Sequence, residues 1–119
     1  MTERSRTAAE DEFLRALDDH DRLVHRCVDG ELTFWEFEAT YESFYPRYPL
    51  DGHESGPVER EILDKLEPRV ALHRDIWERV LTKVVRDEYA EMYGRVGSGF
   101  ITSRQAVRRL KELLELHSR

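Results

Sequence analysis

The sequence has a single cysteine, no apolar run approaching the ~18 residues needed to span a bilayer, and no glycine-rich phosphate loop. Each absence closes off a class of protein. One thiol, Cys27, leaves no intramolecular disulfide framework and no cysteine-cluster zinc site. Its use fits a reducing, cytoplasmic setting. No apolar stretch follows the basic residues near Met1, so no signal peptide is expected, and no membrane association either. Gly94, Gly97 and Gly99 stand in a connector rather than between a strand and a helix, which removes them as a nucleotide fingerprint. The five histidines are scattered at positions 20, 25, 53, 73 and 117. None completes a Glu-x-x-His pair of a di-iron bundle or the His-Glu-x-x-His of a zinc protease, so no metal or other cofactor is expected. Carboxylates are abundant, but nothing selects two of them as a catalytic pair. The chain reads as a non-enzyme.

What the sequence has is charge and helical periodicity. Charged residues make up 37% of its 119 residues and hydrophobic ones 39%, which suits a small helical bundle with a solvated surface better than a sandwich or an α/β sheet. One domain over 7–119 is expected, preceded by a frayed polar segment, 1–6. The net charge of −6 is uneven: residues 1–67 carry −10 and residues 68–119 carry +4. Either the two halves attract each other inside the fold, or the acidic half forms a surface for a basic partner.

The stretch 30–48, GELTFWEFEATYESFYPRY, holds seven of the twelve aromatic residues. Thr33 caps a helix there and Glu36 closes a capping box. Phe34, Phe37, Tyr41, Phe44 and Tyr48 keep one face apolar over a helix of about 33–45, which Pro46 and Pro49 end. Before it, Thr7–Asp29 forms a long helix with Phe13, Leu17, Val24, Cys27 and Val28 inside and Gly30 as its stop. Asp11 with Arg15 and Asp18 with Arg22 are spaced to pair along it. Asp18, Asp19, His20 and Asp21 read as a solvated helix face more readily than a cation site, with His20 as a hydrogen-bonded core histidine. Cys27 reads as a buried structural thiol.

After a Pro/Gly-dense loop, Pro57 opens a helix carrying Val58, Ile62, Leu63 and Leu66. Pro68 ends that helix, kinks it or starts another. Val70, Leu72, Ile76, Trp77, Val80, Leu81, Val84 and Val85 carry an apolar helix to about Tyr93. Thr102 and Gln105 make a second capping box, opening a last helix with Ala106, Val107, Leu110, Leu113 and Leu114 inside. The expected architecture is all-α, a compact four- or five-helix antiparallel bundle. Arg104, Arg108 and Lys111 share one side of the last helix, but the acidic total argues against direct nucleic-acid binding.

The candidate binding surface lies beside the apolar face of the 33–45 helix. Trp35, Glu38 and Glu42 share a flank, and Tyr45 falls between that flank and the core. Asp29 and Glu31, at the preceding turn, and Glu36 add negative potential. An aromatic set among carboxylates suits a hot spot for a basic protein; equally, Trp35 packs on a neighbouring helix and the glutamates solvate the edge.

Asp29-Gly30-Glu31-Leu32-Thr33, followed by Phe34, Glu36-Phe37 and Tyr41, resembles the first helix junction of the colicin D-like bacterial immunity proteins. Gly99-Phe100-Ile101-Thr102, leading into Val107 and Leu110, resembles the entry to that family's C-terminal helix. The similarity covers roughly residues 22–116; the long Pro/Gly loop and the basic second half depart from the pattern. The resemblance implies a helical bundle that binds a cognate, basic, possibly tRNA-cleaving nuclease toxin. Acidic side chains would stand in for the substrate's phosphates, and Asp29, Glu31, Glu36, Glu38 and Glu42 lie at or beside the matching turn. The alternative is a helical interaction or regulatory module, monomer or homodimer, that dimerises or docks on a partner through the Trp35 and Tyr45 side.

Overall fold

Helix α1 spans Ala8–Val28 and stops where the sequence places a glycine. Gly30 takes a φ of +87°, which glycine adopts without strain. Its N–H bonds to the Cys27 carbonyl at 3.2 Å and that of Glu31 to the Arg26 carbonyl at 2.9 Å, satisfying carbonyls at the helix end. The structure, a computed structural model, describes residues 8–48, 56–86 and 99–118, without the side chains of Tyr45 and Pro46. The expected frayed segment 1–6 and most of the Pro/Gly loop lie outside the described residues.

Helix α2 spans Phe34–Tyr41 and opens with the expected capping box. The Thr33 hydroxyl accepts from the Glu36 N–H at 3.2 Å, and the Glu36 carboxylate accepts from the Thr33 N–H at 2.8 Å. The helix is shorter than the 33–45 expected. It breaks at Glu42–Ser43, and a single turn, α3 (Phe44–Arg47), follows. Proline is the cause, acting one turn earlier than its position suggests. Pro46 has no N–H for the carbonyl four residues back, that of Glu42, and is tolerated instead inside the first turn of α3. The apolar face continues across the break: Phe34, Phe37, Tyr41 and Phe44 are all buried.

Helix α4 is Pro57–Lys65, with Pro57 in its first turn. Pro68 sits in the first turn of a new helix, α5 (Glu67–Ile76), and the chain breaks at Leu66. Helix α5 widens into a π-helical turn over Trp77–Leu81, where the Thr82 N–H reaches the Trp77 carbonyl at 3.1 Å. The expected continuation to Tyr93 does not occur. Helical structure stops at Leu81, and Val84 pairs in parallel with Ile101 instead. The Ile101 N–H bonds to the Lys83 carbonyl and the Val85 N–H to the Ile101 carbonyl, each at 3.0 Å. The β-branched Val84 and Val85 favour that extended path. Residues 87–93 lie outside the described residues.

Helix α6, Ser103–His117, opens with the second capping box, Thr102 with Gln105. It packs against α1, α2 and α5, so it rather than α2 is the element on which the others meet. The core takes Phe13, Leu17, Val24 and Cys27 from α1, Val70 and Ile76 from α5, and Ala106, Leu110 and Leu113 from α6 around the α2 aromatics. The fold is all-α, with five helices longer than one turn among the described residues. No helix among them is long and apolar enough to cross a membrane.

Candidate functional site

Trp35, Glu38 and Glu42 share a flank of α2, as helical spacing requires. Trp35 and Glu38 are half-buried and Glu42 is exposed. The Trp35 ring stands edge-on to Phe34, with centroids 5.0 Å apart, and the Arg86 guanidinium lies over it at 4.5 Å from the centroid. That cation comes from the basic half of the chain, so part of the charge attraction is met inside the fold.

The two glutamates are one helical turn apart and repel. Partial burial pushes the Glu38 carboxyl up from its ordinary range, and the charge on Glu42 adds to this; Arg86 opposes both without cancelling them. Among the described residues, no cation forms an ion pair with Glu38, Glu42 or Asp29. Of the remaining residues expected at this surface, Glu31 is exposed and pairs with Arg26 at 3.4 Å. Glu36 is committed to the α2 cap at 2.8 Å. The Tyr45 side chain lies outside the described residues. The set therefore divides: Glu38, Glu42 and Asp29 present unpaired charge, while Glu31 and Glu36 are engaged locally.

A second polar constellation was not foreseen as a unit. His73, on α5, has no exposed surface, and Tyr41, on α2, is 1% exposed. The Tyr41 hydroxyl meets His73 Nδ1 at 2.6 Å, and His73 Nε2 meets the Asp21 carboxylate of α1 at 2.6 Å. Arg69 holds the other oxygen of Asp21 at 2.6 Å and Asp18 at 2.9 Å. Burial pushes the Asp21 carboxyl up, but the hydrogen bonds from His73 and Arg69 outweigh it and hold it below its ordinary range. Burial, with the charge on Asp21, raises the Tyr41 hydroxyl well above the ordinary phenol range. Asp18 and Asp19 are exposed, as a solvated face requires, but Asp18 and the half-buried Asp21 also bind Arg69 across the helices, and Arg22 pairs with Asp19 at 2.6 Å instead of with Asp18. The spacing of Val70, His73, Ile76 and Val80, all buried, is the signal that places His73 on the inner stripe.

His20 is hydrogen-bonded, as expected, but half-buried at the edge of the core rather than within it. Its Nδ1 lies 2.6 Å from the Ala16 carbonyl and its ring stacks on Phe44 with centroids 3.9 Å apart. Burial holds it below the ordinary imidazole range, with the neighbouring His73 adding to this; the backbone hydrogen bond to Ala16 and the charges on Asp19 and Asp21 work against it. Cys27 is buried, and burial pushes its thiol up to about 11. Arg104, Arg108 and Lys111 line an open groove on α6 with Phe34, Ser103 and Val107. Among the described residues, no group of three or more His, Cys, Asp and Glu is placed to hold a metal ion.

No family model, no curated protein and no solved structure matches the chain, so the site stands on its own geometry.

Proposed function

We propose that this chain is a non-enzymatic immunity protein that acts in the cytoplasm and binds a basic nuclease toxin through the acidic flank of α2. Glu38 and Glu42 form the centre of the contact, with Trp35 beside them and Asp29 adding charge at the preceding turn. The observation that carries this reading is the unpaired Glu38–Glu42 pair, in which Glu38 is partly desolvated and Glu42 is exposed. Two like charges one turn apart cost stability. A lysine or arginine from a partner removes that repulsion and gains more at Glu38 than at a fully solvated carboxylate, because Glu38 is already partly desolvated. A nuclease cleft is basic because it binds phosphates, so an acidic inhibitor both blocks it and is steered to it.

Docking of a partner helix on the aromatic side is the second reading. It has less support, because Arg86 occupies the exposed face of Trp35.

The test is capture of partners by the tagged protein from its own organism at low salt, followed by a salt titration and a nuclease assay. The proposal expects one basic protein, released as salt rises, whose nuclease activity the chain inhibits. Self-association with no basic partner favours the second reading.

A further inference from the structure

We infer that a second copy of this chain seats the acidic flank of its α2 in the basic groove of α6, and that two copies related by a twofold axis do this reciprocally. The groove is lined by Arg104, Arg108 and Lys111, with Phe34, Ser103 and Val107 beside them. All three cations are exposed, and among the described residues none of them forms an ion pair. Glu38, Glu42 and Asp29 are unpaired in the same sense. The fold thus leaves a set of cations and a set of carboxylates uncompensated by each other, each facing solvent in whole or in part.

The two sets match in spacing. Arg104 and Arg108 lie one helical turn apart on α6, and Glu38 lies one turn before Glu42, the C-cap of α2, so each pair spans about 6 Å along its helix. With the two helices antiparallel, Glu42 faces Arg104, Glu38 faces Arg108, and Lys111 falls toward the turn that carries Asp29. Phe34 both opens α2 and lines the groove, and α2 packs on α6, so flank and groove adjoin on one protomer. A twofold axis between two copies then makes both contacts at once and doubles the number of pairs.

A second copy suits the groove better than a nucleic acid does. An extended polyanion laid along α6 runs on past the neighbouring Glu38–Glu42 pair and meets a chain of net charge −6. A short helical flank sets its carboxylates on the cations alone. Arg86 does not compete for them, because it lies over Trp35. Exposed ion pairs contribute little individually, so the dimer is weak and yields to salt. The dimer stands without the proposed function, but its consequence rests on that reading: the flank offered to the toxin is covered in the dimer, and the toxin displaces the second copy.

The experiment is sedimentation equilibrium of the full chain, without toxin, at about 0.05 M and about 0.5 M salt, with circular dichroism to check helical content. The unaltered chain is expected to dimerise at low salt and dissociate at high salt. Glu38→Lys with Glu42→Lys, and Arg104→Glu with Arg108→Glu, are each expected to stay monomeric alone, and an equimolar mixture of the two double variants to dimerise again. A monomer at low salt, a dimer indifferent to salt, a double variant that dimerises alone, or a mixture that stays monomeric overturns the inference. A monomeric chain that instead retains an RNA oligonucleotide, and loses it in Arg104→Glu with Arg108→Glu, assigns the groove to nucleic acid and overturns it too. Should a double variant lose helical content, Glu38→Gln and Arg108→Gln take their place; each is expected to weaken the dimer, and no change in either overturns it. No toxin enters these measurements, so failure of the immunity reading leaves their outcomes unchanged.

Discussion

The imidazole of His73 and the carboxylate of Asp21, 52 residues apart in the chain, meet at 2.6 Å and tie the first helix to the fifth. Removing the carboxylate leaves a fully buried ring nitrogen without its acceptor and Arg69 without its stronger ligand. Asp21→Ala is therefore expected to cost about 1–3 kcal/mol of stability. Asp19→Ala removes an exposed pair with Arg22 and is expected to cost under about 1 kcal/mol. Urea denaturation of both variants at pH 7 checks the contrast; equal costs contradict it.

The same carboxylate sets an acid limb. Its pKa in the folded chain is held below the ordinary value of 3.8 by His73 and Arg69, against the upward push of burial. The folded state then binds fewer protons than the unfolded state below that value. The stabilisation from Asp21 is present above about pH 4 and is lost as the pH falls through the lowered folded value. The gap in stability between the unaltered protein and Asp21→Asn is expected to narrow from pH 5 to pH 2.5. A gap that widens reverses the sign of the account.

Thr102→Ala is expected to destabilise the protein by about 0.5–2 kcal/mol. The hydroxyl accepts from the Gln105 N–H at 3.1 Å, and the helix it opens touches α1, α2 and α5. Thermal unfolding measures the loss. Thr102→Ser, which keeps the hydroxyl, is expected to restore most of it.

Cys27 is expected to be inert in the folded protein. Its side chain is 2% exposed and its thiol is raised to about 11, so neither access nor thiolate favours reaction. A thiol reagent at pH 8 should label it at the rate of unfolding, and labelling should become immediate in strong denaturant. Rapid labelling of the native protein contradicts the buried placement.

What could be read from the sequence was what is local. Thr33 with Glu36 and Thr102 with Gln105 form their boxes because three residues of spacing suffice to define them. The apolar spacing from Phe34 to Phe44 survived even where the helix itself broke, since the core selects a face and not a continuous helix. The break at Glu42–Ser43 was missed because proline acts on the carbonyl four residues before it. The end of α5 at Leu81 was missed because Val84 looks equally apolar in a helix and opposite Ile101. His73 shares the spacing of Val70 and Val80, yet its partners come from α1 and α2, and no short-range pattern encodes them. Arg86 over Trp35 is likewise a meeting of distant segments, and it divides the acidic flank into a covered aromatic and an uncovered pair of carboxylates.

The most direct test of the acidic-flank account is the affinity of the captured nuclease for the unaltered chain and for the double variant Glu38→Lys, Glu42→Lys, with circular dichroism to confirm equal helical content. The account predicts binding at least about 100-fold weaker in the double variant, as expected for reversing two charges at the centre of an electrostatic contact. Unchanged affinity at equal helicity would show that the partner binds elsewhere.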